Sequence, residues 1–367
     1  MRRLIELAKL VEGELNHSSE LEISEAGRIA SVSNSGITFA NSEAHYERFL
    51  ESNAAAAVVS GIEGLTDQPA SSLRSLPKPV IVAADAEEAF AQIVTLFRPP
   101  IQRGNSGIHP RASVSETASI GHEVTIGAGA VIMDGAVIGD RSTVFPNATV
   151  MENCQIGQDT QVFPNVVLYE NTILGDRVIL HAGVVLGAYG FGYKSHTGKH
   201  ELSAQLGNVI IEDDVEIGAN STIDRGTFDS TRVGRGTKVD NLVMIGHNCD
   251  IGEDALLCSQ VGIAGSCNIG NGVIMGGQVG VGDHLNIADR SMVMAKSGVM
   301  HDTEPGQAIN GIPARPARKQ MQVLAVTWKL PEMRKTLKQL SKAIAQLQQQ
   351  QSPSQPASDP QDLRDAA

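Results

Sequence analysis

Three of the ten histidines in this chain fall at spacings that could carry chemistry. His247, His284 and His301 lie in a stretch where an aliphatic residue recurs every six positions. Counted in those units, His284 is six units beyond His247 and His301 is nine. If three units make one coil, the three histidines share one face, and His284 and His301 stand two and three coils from His247. At ~4.8 Å between neighbouring strands, those offsets are roughly 10 and 14 Å. Histidine exchanges a proton near neutral pH and serves as a general base. A row of histidines on one face reads as a groove for an extended substrate. Gly265 lies eighteen residues beyond His247, one coil above it. Its N–H, with no side chain in the way, could hold the oxyanion that forms when a nucleophile attacks a carbonyl. Asp240 and Asn248 are candidates to orient the imidazole or to bind substrate. Cys249 and Cys267, also one coil apart, occupy inward positions and read as core. A base facing an oxyanion donor suits acyl transfer.

The repeat that positions these residues is strong. From Ile108 to Leu186 fourteen successive sixth residues are aliphatic. The register is lost after Gly187, resumes at Ile211, Ile217 and Ile223, skips four residues, and runs from Val233 to Val299 through twelve more positions. Small or β-branched residues such as Ala130, Ala136, Ser142, Ala148 and Val261 recur within the units, and glycine often follows the aliphatic residue. A period of six is neither the 3.6 of a helix nor the alternation of a strand. It fits a triangular prism with one unit per face, nearly ten coils and roughly 45 Å long. Residues 187–210, rich in Gly, Tyr, Lys and His, form an excursion from this scaffold, where function often resides.

Residues 1–106 lack the repeat. Leu4, Leu7, Leu10 or Val11, and Leu15 mark an amphipathic helix. Short apolar runs at Gly36–Ala40, Ala55–Val59 and Val80–Ala83 suggest a small α/β domain. Phe39 and Tyr46 place two of the few aromatics near one loop, and such a pair can sandwich a nucleobase, although core or rim packing explains them as readily. Residues 107–313 are the prism. Residues 314–348 turn helical, with a seam of alternating three and four spacings from Val323 to Leu347, broken at Pro331 into two helices. Between Ala314 and Lys342 stand eight basic residues and one acidic residue, Glu332, in a chain of net charge −12. That asymmetry suits an acidic partner as well as a solvated face, and no nucleic-acid motif accompanies it. The tail, residues 349–367, has the composition of a disordered segment. Aromatic content is only 4% with one tryptophan, as a stacked solenoid allows. Four cysteines without a CxxC pair read as reduced and buried. The N-terminus lacks a signal-peptide core, and the longest apolar run, Ala54–Val59, is too short to span a bilayer, so a soluble cytoplasmic protein is expected.

Ser221-Thr-Ile-Asp-Arg-Gly-Thr, Val239-Asp-Asn, Ile245-Gly-His-Asn, the insertion Tyr189-Gly-Phe-Gly-Tyr, Glu304-Pro-Gly and Gly311-Ile-Pro together resemble the UDP-3-O-(3-hydroxyacyl)glucosamine N-acyltransferases of lipid A biosynthesis. The resemblance reaches to about residue 345. It implies a left-handed parallel β-helix, a homotrimer with sites between neighbouring prisms, and hydroxyacyl transfer to the 2-amine of UDP-3-O-acylglucosamine. It implies His247 as general base, His284 as a second histidine of the acyl-donor site with His301 on the same substrate face, and Phe39, Asn41 and Tyr46 at uridine. The donor would be a hydroxyacyl chain on the phosphopantetheine of acyl carrier protein, an acidic partner for Arg315, Arg318 and Lys319. No metal or other cofactor is required, and the product would be destined for the membrane. The sister O-acyltransferase is the nearest rival, but it lacks a domain like residues 1–106. A β-helix carbonic anhydrase would need three histidines in tight geometry around zinc.

Overall fold

The computed structural model describes residues 1–16, 20–62, 76–97, 106–196, 198–311 and 314–351. Two compact units divide at Asn105/Ser106.

In the first unit the amphipathic stretch forms a helix, α1 (Leu4–Leu10), that buries Leu4, Leu7 and Ala8. It stops well short of Leu15, contrary to the sequence pattern. Glu12 turns into the left-handed region (φ 50°) and the Gly13 N–H bonds back to the Ala8 carbonyl at 2.9 Å. A Cβ on Gly13 would meet Ile81 Cγ2 at 2.5 Å, so only glycine fits where the chain turns into the sheet. Leu15 therefore starts a strand. The sheet runs in the order Glu14–Leu15, Val80–Val82, Ala56–Val59, Gly36–Ala40, Glu25–Ala26, with the first pair antiparallel and the rest parallel. The three apolar runs are its central strands. Helices α2 (Glu43–Glu51) and α3 (Ala86–Phe97) complete the unit, and two apolar clusters fill it.

The second unit is the prism, a left-handed parallel β-helix of hexapeptide repeats. Its three faces carry 11, 10 and 9 two- to four-residue strands. The first begins at Gly107–Ile108, the second at Ser113–Val114 and the third at Ser119–Ile120. Stacked strands are eighteen residues apart and in register, as in Ile126, Val144, Val162 and Leu180, which form one aliphatic ladder in a continuous core. Corners turn through a left-handed residue such as Asn147, Asn165, Asn171, Asn220 or Asn248. Asparagine tolerates that conformation better than most residues. Cys154, Cys249 and Cys267 are buried as expected, but Cys258 is half-exposed.

Both breaks in the repeat are resolved by register. Ile211 stacks on Leu174, so the chain leaves the prism after Ala188 and returns at Val209, a shorter excursion than 187–210, without shifting the register. Outside, Tyr193–His196 and Lys199–Leu202 pair as an antiparallel hairpin. Val233 stacks on Ile211, which places the four extra residues of the next coil between Ile223 and Thr231. After the prism come α4 (Ala317–Thr327) and α5 (Leu330–Gln351), separated at Trp328–Lys329. Pro331 sits in the first turn of α5, where its missing N–H has no helical partner to lose. The seam residues Met333, Leu337, Leu340, Ile344 and Leu347 are all exposed on the single chain. Apart from the backbone of that last turn, the tail expected to be disordered lies outside the described residues.

Candidate active site

The two interruptions and His247 occur on one corner of the prism, between the second and third faces, in successive coils. Leu186, Ile223, Ile245, Ile263 and Val281 stack in one column of the second face. The insertion leaves after the first of these, the four extra residues follow the second, His247 and Asn248 follow the third, and Gly265 the fourth. Asp283 and His284 follow the fifth. A regular prism would expose a flat corner here. The extra backbone instead builds one wall of a cavity of about 540 Å³, lined by Phe191, Asp224, Met244, His247, Gly265, Asp283 and His284 among others.

The imidazole of His247 is held between two glycines. A Cβ on Gly190 of the insertion would lie 2.6 Å from His247 Cβ, and one on Gly265 would lie 2.8 Å from Nε2 and 2.7 Å from Cε1. His247 Nδ1 is 2.9 Å from Asn248 Oδ1. That oxygen also lies 3.0 Å from the Thr227 backbone N–H and 2.9 Å from the Thr227 hydroxyl. A backbone N–H can only donate, so the atom facing His247 is the amide oxygen and must accept. Nδ1 therefore carries the proton, and Nε2 is left with its lone pair beside Gly265. Thr227 belongs to the four extra residues.

Asp224, also just past Ile223, lines the same cavity and is 7% exposed. Burial pushes its carboxyl up to about 6, with His247 pulling in the opposite direction. At pH 7 it is thus an ionised, poorly solvated carboxylate beside the imidazole, and it would stabilise an imidazolium. The base of the insertion is fixed by Arg225, whose side chain is 4% exposed. Its guanidinium donates to the Gly187 carbonyl at 2.8 Å, pairs with Glu170 at 2.7 Å and stacks over Tyr189 at 5.1 Å.

Third-position N–H groups on other corners are often capped by a side chain one coil up. Examples are His122 N–H to Asp140 (2.7 Å), Glu253 N–H to Asn271 (2.8 Å) and Asn271 N–H to Asp289 (2.8 Å). The Gly265 N–H donates to no such side chain among the described residues, although Asp283 stands above it. It is an open donor one coil above the base.

Other expected residues are placed differently. Asp240 lies on the corner between the first and second faces, in a separate cleft with Phe163, His181, Glu216 and Lys238. Its carboxylate accepts from the Ser259 hydroxyl, from the Ser259 N–H at 3.1 Å and from the Asn241 N–H at 2.7 Å, which hold it below the usual carboxylate range. It does not orient His247 of its own chain; Asn248 does. His301 is exposed one coil above Asp283 and does not line the cavity. His284 occupies the left-handed corner position (φ 58°), one residue past the column of His247, Gly265, Asp283 and His301. The supposed histidine row is therefore staggered.

In the first unit, Phe39 lines a cavity of about 700 Å³ with His45, Arg28, Arg48 and Phe90, and packs on Phe90 with ring centroids 5.2 Å apart. Tyr46 does not join it. It packs on Phe49 at 6.0 Å within the other apolar cluster. Consecutive residues of α2 point about 100° apart, so His45 turns toward the cavity and Tyr46 away. Asn41 Oδ1 accepts from or faces His45 Nδ1 at 2.9 Å. Phe39 and Tyr46 therefore do not line one cavity, whereas Phe39 and His45 do. Arg315, Arg318 and Lys319 are exposed at the start of α4 and before it.

Comparison with known proteins shows what the chain is similar to. Residues 208–241 match the family model described as the hexapeptide repeat of succinyl-transferase, and residues 102–191 match the GMPPB C-terminal domain. A UDP-3-O-acylglucosamine N-acyltransferase of Methylacidiphilum infernorum is 48% identical over 92% of this chain and 93% of its own. That of Desulfotalea psychrophila is 43% identical over 93% and 96%. That of Rhodopirellula baltica is 58% identical over 166 residues, 45% of this chain and 44% of its own. Among solved structures, an Arabidopsis UDP-N-acetylglucosamine acyltransferase aligns over 56% of this chain and 71% of its own at 21% identity, with a TM-score of 0.45.

Proposed function

The chain belongs to the UDP-3-O-acylglucosamine N-acyltransferase family, and from that premise we propose that it moves a 3-hydroxyacyl chain from acyl carrier protein to the 2-amine of UDP-3-O-acylglucosamine. The product, UDP-2,3-diacylglucosamine, would enter lipid A synthesis. The observation that carries the reading is the orientation of His247 by Asn248, itself fixed by the Thr227 N–H.

The steps follow from that orientation. The amine nitrogen attacks the thioester carbonyl, and Nε2 of His247 takes a proton from it. The carbonyl oxygen, now negative, is met by the Gly265 N–H. Asp224 balances the imidazolium without competing for its Nδ1–H, which stays on Asn248. As the tetrahedral intermediate collapses, the carbon–sulfur bond breaks, and the imidazolium returns its proton to the phosphopantetheine sulfur. An oxyanion donor of this kind contributes on the order of 10²–10³ in rate.

The donor reading rests on charge. Arg318 and Lys319 sit in or next to the first turn of α4, which holds no acidic residue. Cations there oppose the helix dipole, and an acidic carrier would relieve that cost. The cavity with Phe39, Arg28 and Arg48 has the apolar wall and the cations that a uridine diphosphate needs. Three copies would close the open side of the His247 cavity, and the exposed seam of α5 gives them a further surface to share. The cytoplasm is the compartment this reading requires; among the described residues no helix is long and apolar enough to cross a membrane.

The test is acyl transfer from 3-hydroxyacyl carrier proteins to UDP-3-O-acylglucosamine, with the product followed by mass. Amide formation supports the reading. Transfer to UDP-N-acetylglucosamine alone would move the chain to O-acylation.

A further inference from the structure

One charged group in the His247 cavity has no part in the chemistry above. Asp283 lines it one coil above Gly265, and among the described residues nothing donates a hydrogen bond or pairs with its carboxylate. Elsewhere on the prism, an Asp at this position closes the N–H one coil below, as Asp140 does for His122 and Asp289 for Asn271. Asp283 leaves that N–H open, so a structural capping role does not account for it. It is also badly placed for the developing charge. A carboxylate about 5 Å above the oxyanion donor, at the ~4.8 Å coil spacing, would repel the oxyanion unless a hydrogen-bond donor stood between them.

The second face offers an open lane beside this group. Its outward strand positions in three successive coils are Gly262, Gly280 and Gly298, and a Cβ on any of them would meet nothing within 4 Å. This bare lane rises from the level of Gly265, one coil above His247, past Asp283. A thioester whose carbonyl sits at Gly265 and whose chain climbs that lane carries its third carbon, two bonds away, between that coil and the coil of Gly280 and Asp283, where its hydroxyl comes within reach of Asp283. A hydroxyl there has a proton to give, and Asp283 has only acceptors.

We propose that Asp283 selects the acyl donor by accepting a hydrogen bond from its 3-hydroxyl group, a role that rests on the acyl-transfer reading above. The same contact places a donor between Asp283 and the oxyanion. A chain without the hydroxyl covers the carboxylate without pairing it and leaves it facing the developing charge. Sites built around a substrate hydroxyl discriminate strongly against analogues that lack it. Asp283 is thus a specificity residue, and the base, its orienting amide and the oxyanion donor act independently of it.

The experiment compares carrier-bound 3-hydroxyacyl and plain acyl thioesters of equal length as donors, with wild type, Asp283→Ala and Asp283→Asn. In wild type kcat/KM should favour the hydroxylated donor by ten- to a hundredfold or more. Asp283→Ala should bring that ratio close to one, by losing rate on the hydroxylated donor and gaining it on the plain one. Asp283→Asn keeps an acceptor oxygen and should restore part of the ratio. Because the side chain is exposed on the prism surface, both variants should fold, and their melting curves check this. An unchanged ratio in Asp283→Ala, with wild type transferring normally, overturns the assignment and leaves the acyl-transfer reading standing. A wild type that transfers no acyl group to the amine overturns both.

Discussion

Gly265 stands so close to His247 that a single methyl group on its Cα would lie 2.8 Å from Nε2. Two properties of one residue meet there: an open backbone donor and the absence of a side chain where the imidazole must be.

Gly265→Ala separates these from mere corner geometry. The φ of Gly265 is not in the left-handed region, so alanine is tolerated by the backbone. The methyl must instead displace the imidazole or the substrate. The expected result is a fall in kcat of about 10²–10³, with the melting temperature nearly unchanged. Kinetics and a circular-dichroism melt on the same preparation would check it.

Asn248→Gly tests the proton on Nδ1. Asn248 has φ 58°, which glycine adopts freely, so the corner should hold while the amide is lost. Without the oxygen that accepts from Thr227 and His247, the ring samples both tautomers and orientations. A loss of kcat of about 10²-fold with a small change in KM is expected. A loss confined to KM would assign Asn248 to substrate binding instead.

Asp224 gives a pH dependence. Burial pushes its folded carboxyl up to about 6, above the ordinary value of about 3.8. The unfolded chain therefore releases this proton more readily than the folded one. Its contribution to stability is fully present below about 3.8 and is lost as pH rises through about 6, a cost on the order of 3 kcal/mol above that. Asp224→Asn should stabilise the protein at pH 8 and make little difference near pH 3.5, by urea denaturation. The same variant should lower kcat at pH 8, because the imidazolium loses its counter-charge.

The prism was legible from the sequence because burying a ladder of Ile, Val and Leu requires a strict period, and the period survives every surface change. His247, Gly265 and Asn248 could be placed by counting coils. Asp224 and Thr227 could not, because they lie in the four extra residues where counting stops. Those extra residues were themselves the signal: they interrupt a regular scaffold directly before the base. Asp240 is near His247 in sequence but not on its corner, since it follows a strand of the first face. Tyr46 was misplaced for a different reason. Proximity to Phe39 in sequence says nothing about which side of α2 faces the cavity, and one residue of helix moves a side chain by about 100°.

The glycine lane gives a length prediction. Replacing Gly298 by Leu adds a side chain into open space, so the fold should be unaffected. The lane would close at its upper end. Donors with long chains should lose kcat/KM by tenfold or more while shorter ones retain it, read from a panel of carrier-bound chains.

The most direct test of the account is transfer of a 3-hydroxyacyl chain to UDP-3-O-acylglucosamine by His247→Ala compared with wild type. With His247 as the base, the variant should melt with wild type and lose at least 10³-fold in kcat for the amide product. A folded His247→Ala protein that turned over within tenfold of wild type would contradict the account.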